Sequence, residues 1–101
     1  MTNIIIRYKT KPEATALNTK LVEDVFRELN AAAPDGVAYA VLRTDDNTFF
    51  HIVSYENDET NAQLTGLPAF KAFQEDGESR RAAPFERNAV TVIGNYRILP
   101  K

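Results

Sequence analysis

The sequence predicts an α+β sandwich with elements in the order βαββαβ. Three observations carry that expectation. Apolar, β-branched or aromatic runs recur at residues 4–8, 37–43, 49–55 and 88–99, as strands require. A long stretch with helical periodicity separates the first run from the second. A second helical region, broken at Gly66-Leu67-Pro68, separates the third run from the fourth.

Each element has its own justification. Ile4-Ile5-Ile6-Arg7-Tyr8 is nearly continuously apolar, which suits a strand covered on both faces. Lys11-Pro12-Glu13 opens a helix, with proline in the first turn and an acid near the positive helix end. Leu17, Leu21, Val25 and Leu29 then form an apolar stripe flanked by Val22 and Phe26, and Pro34-Asp35-Gly36 ends the helix. Val37 to Arg43 and Phe49 to Tyr55 flank Asp45-Asp46-Asn47 and read as an antiparallel hairpin. A two-residue Asp46-Asn47 loop would pair Leu42 with His51, Ala40 with Val53 and Ala38 with Tyr55. Tyr39, Val41 and Arg43 would then lie on the face opposite His51. The common face of His51, Val53 and Tyr55 needs only the strand period of two. Asn57-Asp58 caps a short helix ending near Gly66, Pro68 restarts helix with Leu67, Phe70 and Phe73 on its apolar side, and Pro84 ends the region. The last strand is expected over Asn88 to Leu99, with Val90, Val92, Gly94 and Tyr96 on one face and Ile93 on the other.

This order is that of a ferredoxin-like four-stranded antiparallel sheet with two helices on one face, in a single domain spanning residues 1–101. Two helices cover one face of such a sheet. Large apolar groups on the other face predict a homodimer whose sheets face each other.

Composition narrows the chemistry. Twelve Lys and Arg against fourteen Asp and Glu give a net charge of -2, so nothing electrostatic favours nucleic acid or an anionic membrane. The absence of cysteine removes disulfides, thiolate nucleophiles, Cys-ligated zinc and iron–sulfur clusters, and a single histidine excludes a multi-histidine metal site within one chain. No apolar run approaches the roughly 20 residues of a bilayer span, and Met1-Thr2-Asn3 lacks the basic start of a signal peptide. A cytoplasmic location is the expectation. An RNA-recognition module shares the element order. It needs a basic, glycine-containing third-strand motif, and Asn47-Thr48-Phe49-Phe50-His51 supplies only the aromatics.

The strand pair from Arg43-Thr44-Asp45-Asp46 to Tyr55-Glu56, the segment Leu67-Pro68-Ala69-Phe70-Lys71-Ala72-Phe73 and the closing Val92-Ile93-Gly94-Asn95-Tyr96 resemble the antibiotic biosynthesis monooxygenase family. That family belongs to the dimeric α/β-barrel superfamily, and the resemblance covers most of the chain. It implies a ligand pocket between sheet and helices, and a cofactor-free oxygenation of a small aromatic phenol or quinol. The family's haem-degrading branch is not implied. Family members often carry a tryptophan after the third strand and two histidines around the helix proline, one of which would ligate haem iron; this chain has no tryptophan, and the histidine positions are Leu64 and Ala69.

Candidate site residues follow from side-chain chemistry. His51 is the only group whose ordinary pKa lies near neutrality and is the candidate base that deprotonates a phenol. Tyr55, on the same strand face, is the candidate partner for the ring or its oxyanion. Tyr39, Arg43 and Tyr96 are candidate substrate-binding groups, with interface packing as the competing role. Phe70 and Phe73 are candidate pocket walls. Lys71, Arg80, Arg81 and Arg87 form a basic stretch that helix-end electrostatics explains. The resemblance implies no cofactor, and no metal is expected, since turn and cap roles account for Asp45, Asp46, Asp58 and Glu59. The alternative to an enzyme is a non-catalytic small-molecule-binding or interaction dimer of the same fold.

Overall fold

The computed structural model describes residues 1–98. Four strands, β1 (Thr2–Lys9), β2 (Val37–Arg43), β3 (Thr48–Tyr55) and β4 (Glu86–Ala89), form one antiparallel sheet in the order β2-β3-β1-β4. A 3-10 turn at Pro12–Ala14 leads into α1 (Thr15–Ala32), and α2 (Asp58–Thr65), α3 (Pro68–Gln74) and α4 (Gly77–Arg80) join β3 to β4. This is the expected βαββαβ sandwich.

The core lies between one sheet face and the helices. Ile4, Val25, Val53, Leu64 and Ala69 form its buried centre, with Ile6, Leu29, Tyr39, Tyr55, Phe70 and Phe73 packed around it. Helix α1 presents Thr15, Asn18, Val22 and Val25 to the sheet, while Leu17 is 53% exposed. The buried stripe is therefore rotated from the one expected through Leu17. A polar residue, Asn18, sits where aliphatic side chains were anticipated. The helix ends at Ala33, whose left-handed φ of 45° lets its N–H reach the Leu29 carbonyl. Asn57 caps α2 through a reciprocal pair of hydrogen bonds with Thr60. The carboxylate of Glu28 on α1 accepts the Ala69 N–H at 2.9 Å and so satisfies a donor in the first turn of α3.

Two expectations are corrected. The β2–β3 loop contains three residues, Asp45-Asp46-Asn47, rather than two. Thr44 N–H donates to the Thr48 carbonyl, and Asn47 takes a left-handed φ of 68°. This odd loop length pairs Val41 with His51 and Tyr39 with Val53. The one-residue shift moves Tyr39 and Arg43 onto the His51 face of the sheet. The second correction concerns the last strand, which covers Glu86–Ala89 instead of residues 88–99. Ile4 pairs with Ala89, so β1 ends within a few residues and leaves nothing in this chain for a longer β4 to pair with. Val90 N–H still donates to the Asn3 carbonyl. Beyond it Ile93, Tyr96 and Ile98 are 99%, 79% and 85% exposed, and Leu99 lies outside the described residues.

Candidate active site

A cavity of about 350 Å³ opens between the sheet and α2–α3. Alternation along the strands places Ile4, Ile6 and Tyr8 of β1, Tyr39 of β2 and His51, Val53 and Tyr55 of β3 on its floor. Leu64, Phe70 and Phe73 supply the helical wall, and Arg81, Phe85 and Arg87 lie along the β4 side. The volume suits a ligand of one or two fused rings. The lining contains two arginines and no carboxylate.

His51 lies on this floor between two tyrosines. Its Nε2 is 2.7 Å from Tyr8 Oη and its Nδ1 is 2.6 Å from Tyr39 Oη. The first contact joins β1 to β3, the second β2 to β3. The imidazole is 3% exposed and packs against Phe73, with ring centroids 5.4 Å apart. Phe49 stacks on Tyr8 and Phe26 on Tyr39. These rings fix the orientation of all three polar groups.

The network continues inward from Tyr8. Asn18 Nδ2 donates to Tyr8 Oη at 2.9 Å, and Arg80 Nε donates to Asn18 Oδ1 at 2.9 Å. Arg80 is 5% exposed and also donates to two main-chain carbonyls, from Nη1 to Glu75 at 3.1 Å and from Nη2 to Phe73. Its guanidinium also lies over the Phe73 ring. No carboxylate forms an ion pair with Arg80 or Arg81 among the described residues. Arg81 stacks over Phe85, and its buried Nε has no hydrogen-bond partner.

Burial dominates the electrostatics. It pushes the His51 pKa down to about 4, so the ring is neutral at physiological pH. It raises Tyr8 to about 12, opposed by the Asn18 hydrogen bond and the charges of Arg80 and Arg81. Tyr39 is raised too, by burial and then by the proximity of Tyr8. All three members are therefore uncharged at rest.

The structure gathers some of the sequence-predicted residues and separates others. His51, Tyr55, Tyr39, Phe70 and Phe73 all line the cavity. Arg43 does not. It sits at the far end of β2, exposed, with Nη1 donating to Thr19 Oγ1 at 3.3 Å, beside a separate groove against α1. Tyr96 lies outside the sheet under the Arg97 guanidinium and takes no part in the cavity. Sequence reasoning passed over Tyr8 and Asn18, and it read Arg80 and Arg81 through helix-end electrostatics, with a ligand-phosphate site as the weaker alternative. Among the described residues no cluster of three or more acidic or histidine side chains could hold a metal ion. No helix among them is long and apolar enough to cross a membrane.

No protein-family model matches the chain, and no curated protein matches its sequence. Solved structures do match its fold. A Bacteroides thetaiotaomicron protein provisionally named an antibiotic biosynthesis monooxygenase superimposes with a TM-score of 0.78 at 14% identity, covering 98% of this chain and 95% of that one. Rv0793 from Mycobacterium tuberculosis gives 0.74 at 14% identity over 93% and 96%. A Caulobacter crescentus protein with the same provisional name gives 0.74 at 16% identity over 92% and 90%. At these identities the likeness establishes a shared fold along nearly the whole chain.

Proposed function

We propose that the protein is a cofactor-independent monooxygenase that binds a small aromatic phenol or quinol in the cavity above His51. The observation that carries this reading is the Tyr8–His51–Tyr39 network on the floor of a cavity walled by Leu64, Phe70 and Phe73, with Asn61, Thr65 and Gln74 also in its lining, and bordered by Arg81 and Arg87. The provisional names of proteins with this fold point the same way. An electron-rich phenolate supplies the four electrons of the oxidation itself. A phenol and O2 give a quinone and water, with no external reductant.

In this reading Phe70 and Phe73 hold the ring, Tyr55 lines the floor beside it, and Arg81 and Arg87 favour the anionic form. Both ring nitrogens of His51 are engaged by tyrosines, so His51 reaches the substrate through Tyr39 rather than as a free base. The working molecule is a homodimer. Ile5, Phe50 and Ile52 on the outer sheet face are only partly covered, Leu42 is 54% exposed, and the apolar residues after β4 project beyond the sheet. A second copy facing this sheet would cover them.

Oxygen uptake with a panel of hydroquinones and naphthols in chelator-treated buffer tests the activity. Consumption of O2 with matching quinone formation, reduced at least tenfold in Tyr39→Phe, is the expected result. Ligand retention in native mass spectrometry with no uptake would replace the enzyme by a non-catalytic binding dimer.

A further inference from the structure

We propose that Arg80 and Asn18 fix the direction of the hydrogen-bond chain through Tyr8 and His51, so that Tyr39 presents an O–H donor to the cavity. The cavity then receives its ligand through an acceptor oxygen, a phenolate, an enolate or a quinone carbonyl. The ligand clause rests on the cavity being the substrate site. The direction of the chain does not.

The direction follows from counting hydrogens. Arginine can only donate, so Arg80 Nε–H fixes Asn18 Oδ1 as an acceptor and turns the Asn18 amide N–H towards Tyr8. A neutral His51 carries one N–H. With the two tyrosyl hydrogens, three hydrogens serve the two links Tyr8–His51 and His51–Tyr39. One hydroxyl hydrogen is left over, on Tyr39 or on Tyr8. Were it on Tyr8, that oxygen would accept from both Asn18 and His51, while its own hydrogen lay in a side chain only 5% exposed. Placing it on Tyr39, the only one of the three side chains that is not fully buried, leaves none of these three hydrogens unpaired in a buried side chain. Every bond then runs one way, from Arg80 to Asn18, Tyr8, His51 and Tyr39. Successive donors polarise one another and strengthen the last one.

Asn18 and Arg80 are thus positioning residues, and the tautomer of His51 reports their effect. His51 is the sole histidine, so 15N-histidine labelling gives a single-site spectrum. The expected wild-type state at pH 7 has the proton on Nδ1 and a bare Nε2. Asn18→Asp replaces the donor by an acceptor of the same shape. Tyr8 O–H then turns to residue 18, Tyr8 Oη accepts from His51, and the proton moves to Nε2. Binding of 4-nitrophenolate should weaken at least tenfold in the same variant, because the Tyr39 hydrogen is drawn back to Nδ1. A wild-type Nε2–H tautomer overturns the proposal, whether or not Asn18→Asp folds. A folded Asn18→Asp protein with an unchanged tautomer overturns it as well. Failure of 4-nitrophenolate to bind the wild type, with the tautomers as expected, overturns only the ligand clause.

Discussion

Tyr39 Oη lies 2.6 Å from His51 Nδ1, across two neighbouring strands whose connecting loop decides whether they meet at all. A two-residue turn would put Tyr39 on the outer sheet face. The three-residue turn with Asn47 in the left-handed region puts it over the cavity. Asn47→Val should therefore destabilise the fold by about 1–3 kcal/mol, because a β-branched side chain resists that backbone conformation. Asn47→Gly should be close to neutral. Urea denaturation of the two variants checks the difference.

His51 gives the protein an acid-sensitive stability. Its folded pKa of about 4 lies below the ordinary value of 6.5, so the unfolded chain binds the proton more readily. The stability from keeping His51 neutral is fully present above pH 6.5 and is lost as the pH falls towards 4. Between pH 7 and pH 5 the loss amounts to about 2 kcal/mol by proton linkage. Denaturation of His51→Gln at the two pH values should show a difference smaller by that amount.

Arg80 should matter to stability as well as to the orientation of Asn18. Arg80→Met fills much of the same space but leaves Asn18 Oδ1 and the carbonyls of Phe73 and Glu75 without their donor. The expected cost is about 3 kcal/mol, from the buried Asn18 Oδ1 and two partly buried carbonyls left unpaired. Arg81→Met, whose Nε has no partner to lose, should cost less than about 1 kcal/mol, and the same titration compares them.

The proposed dimer has a direct test on the outer sheet face. Leu42 is 54% exposed in the single chain, so Leu42→Glu adds a charge without disturbing the core. Sedimentation at micromolar concentration should give a mass of two chains for the wild type and one for Leu42→Glu, with unchanged circular dichroism. A one-chain wild type would leave the outer face uncovered and contradict the dimer.

Most of the architecture was legible because its signals are local. The proline and glycine breaks, the Asn57 cap and the helical periodicity fixed the order and type of the elements. The site was legible only in part. His51, Tyr55, Phe70 and Phe73 could be placed from strand alternation and helix spacing. Tyr8 joins them through the pairing of β1 with β3, which no local pattern encodes. Asn18 was hidden because a polar residue on a buried helix face carries no hydrophobic signal. Arg80 was hidden because its partner lies 62 positions away in the chain. Tyr39 was misplaced by one residue of loop length, and Tyr96 because strand periodicity continues past the point where β1 can pair with it.

The proposed activity depends on the cavity holding an aromatic oxyanion against Tyr39. A spectrophotometric titration of 4-nitrophenol, whose neutral and ionised forms absorb differently, tests it most directly. Saturable binding of the phenolate is expected, with an apparent phenol pKa lower on the protein than in water and affinity at least tenfold weaker in Tyr39→Phe, as for a hydrogen bond to a charged acceptor worth about 1.5–3 kcal/mol. Selective binding of the neutral phenol, or equal affinity in wild type and Tyr39→Phe, would contradict it.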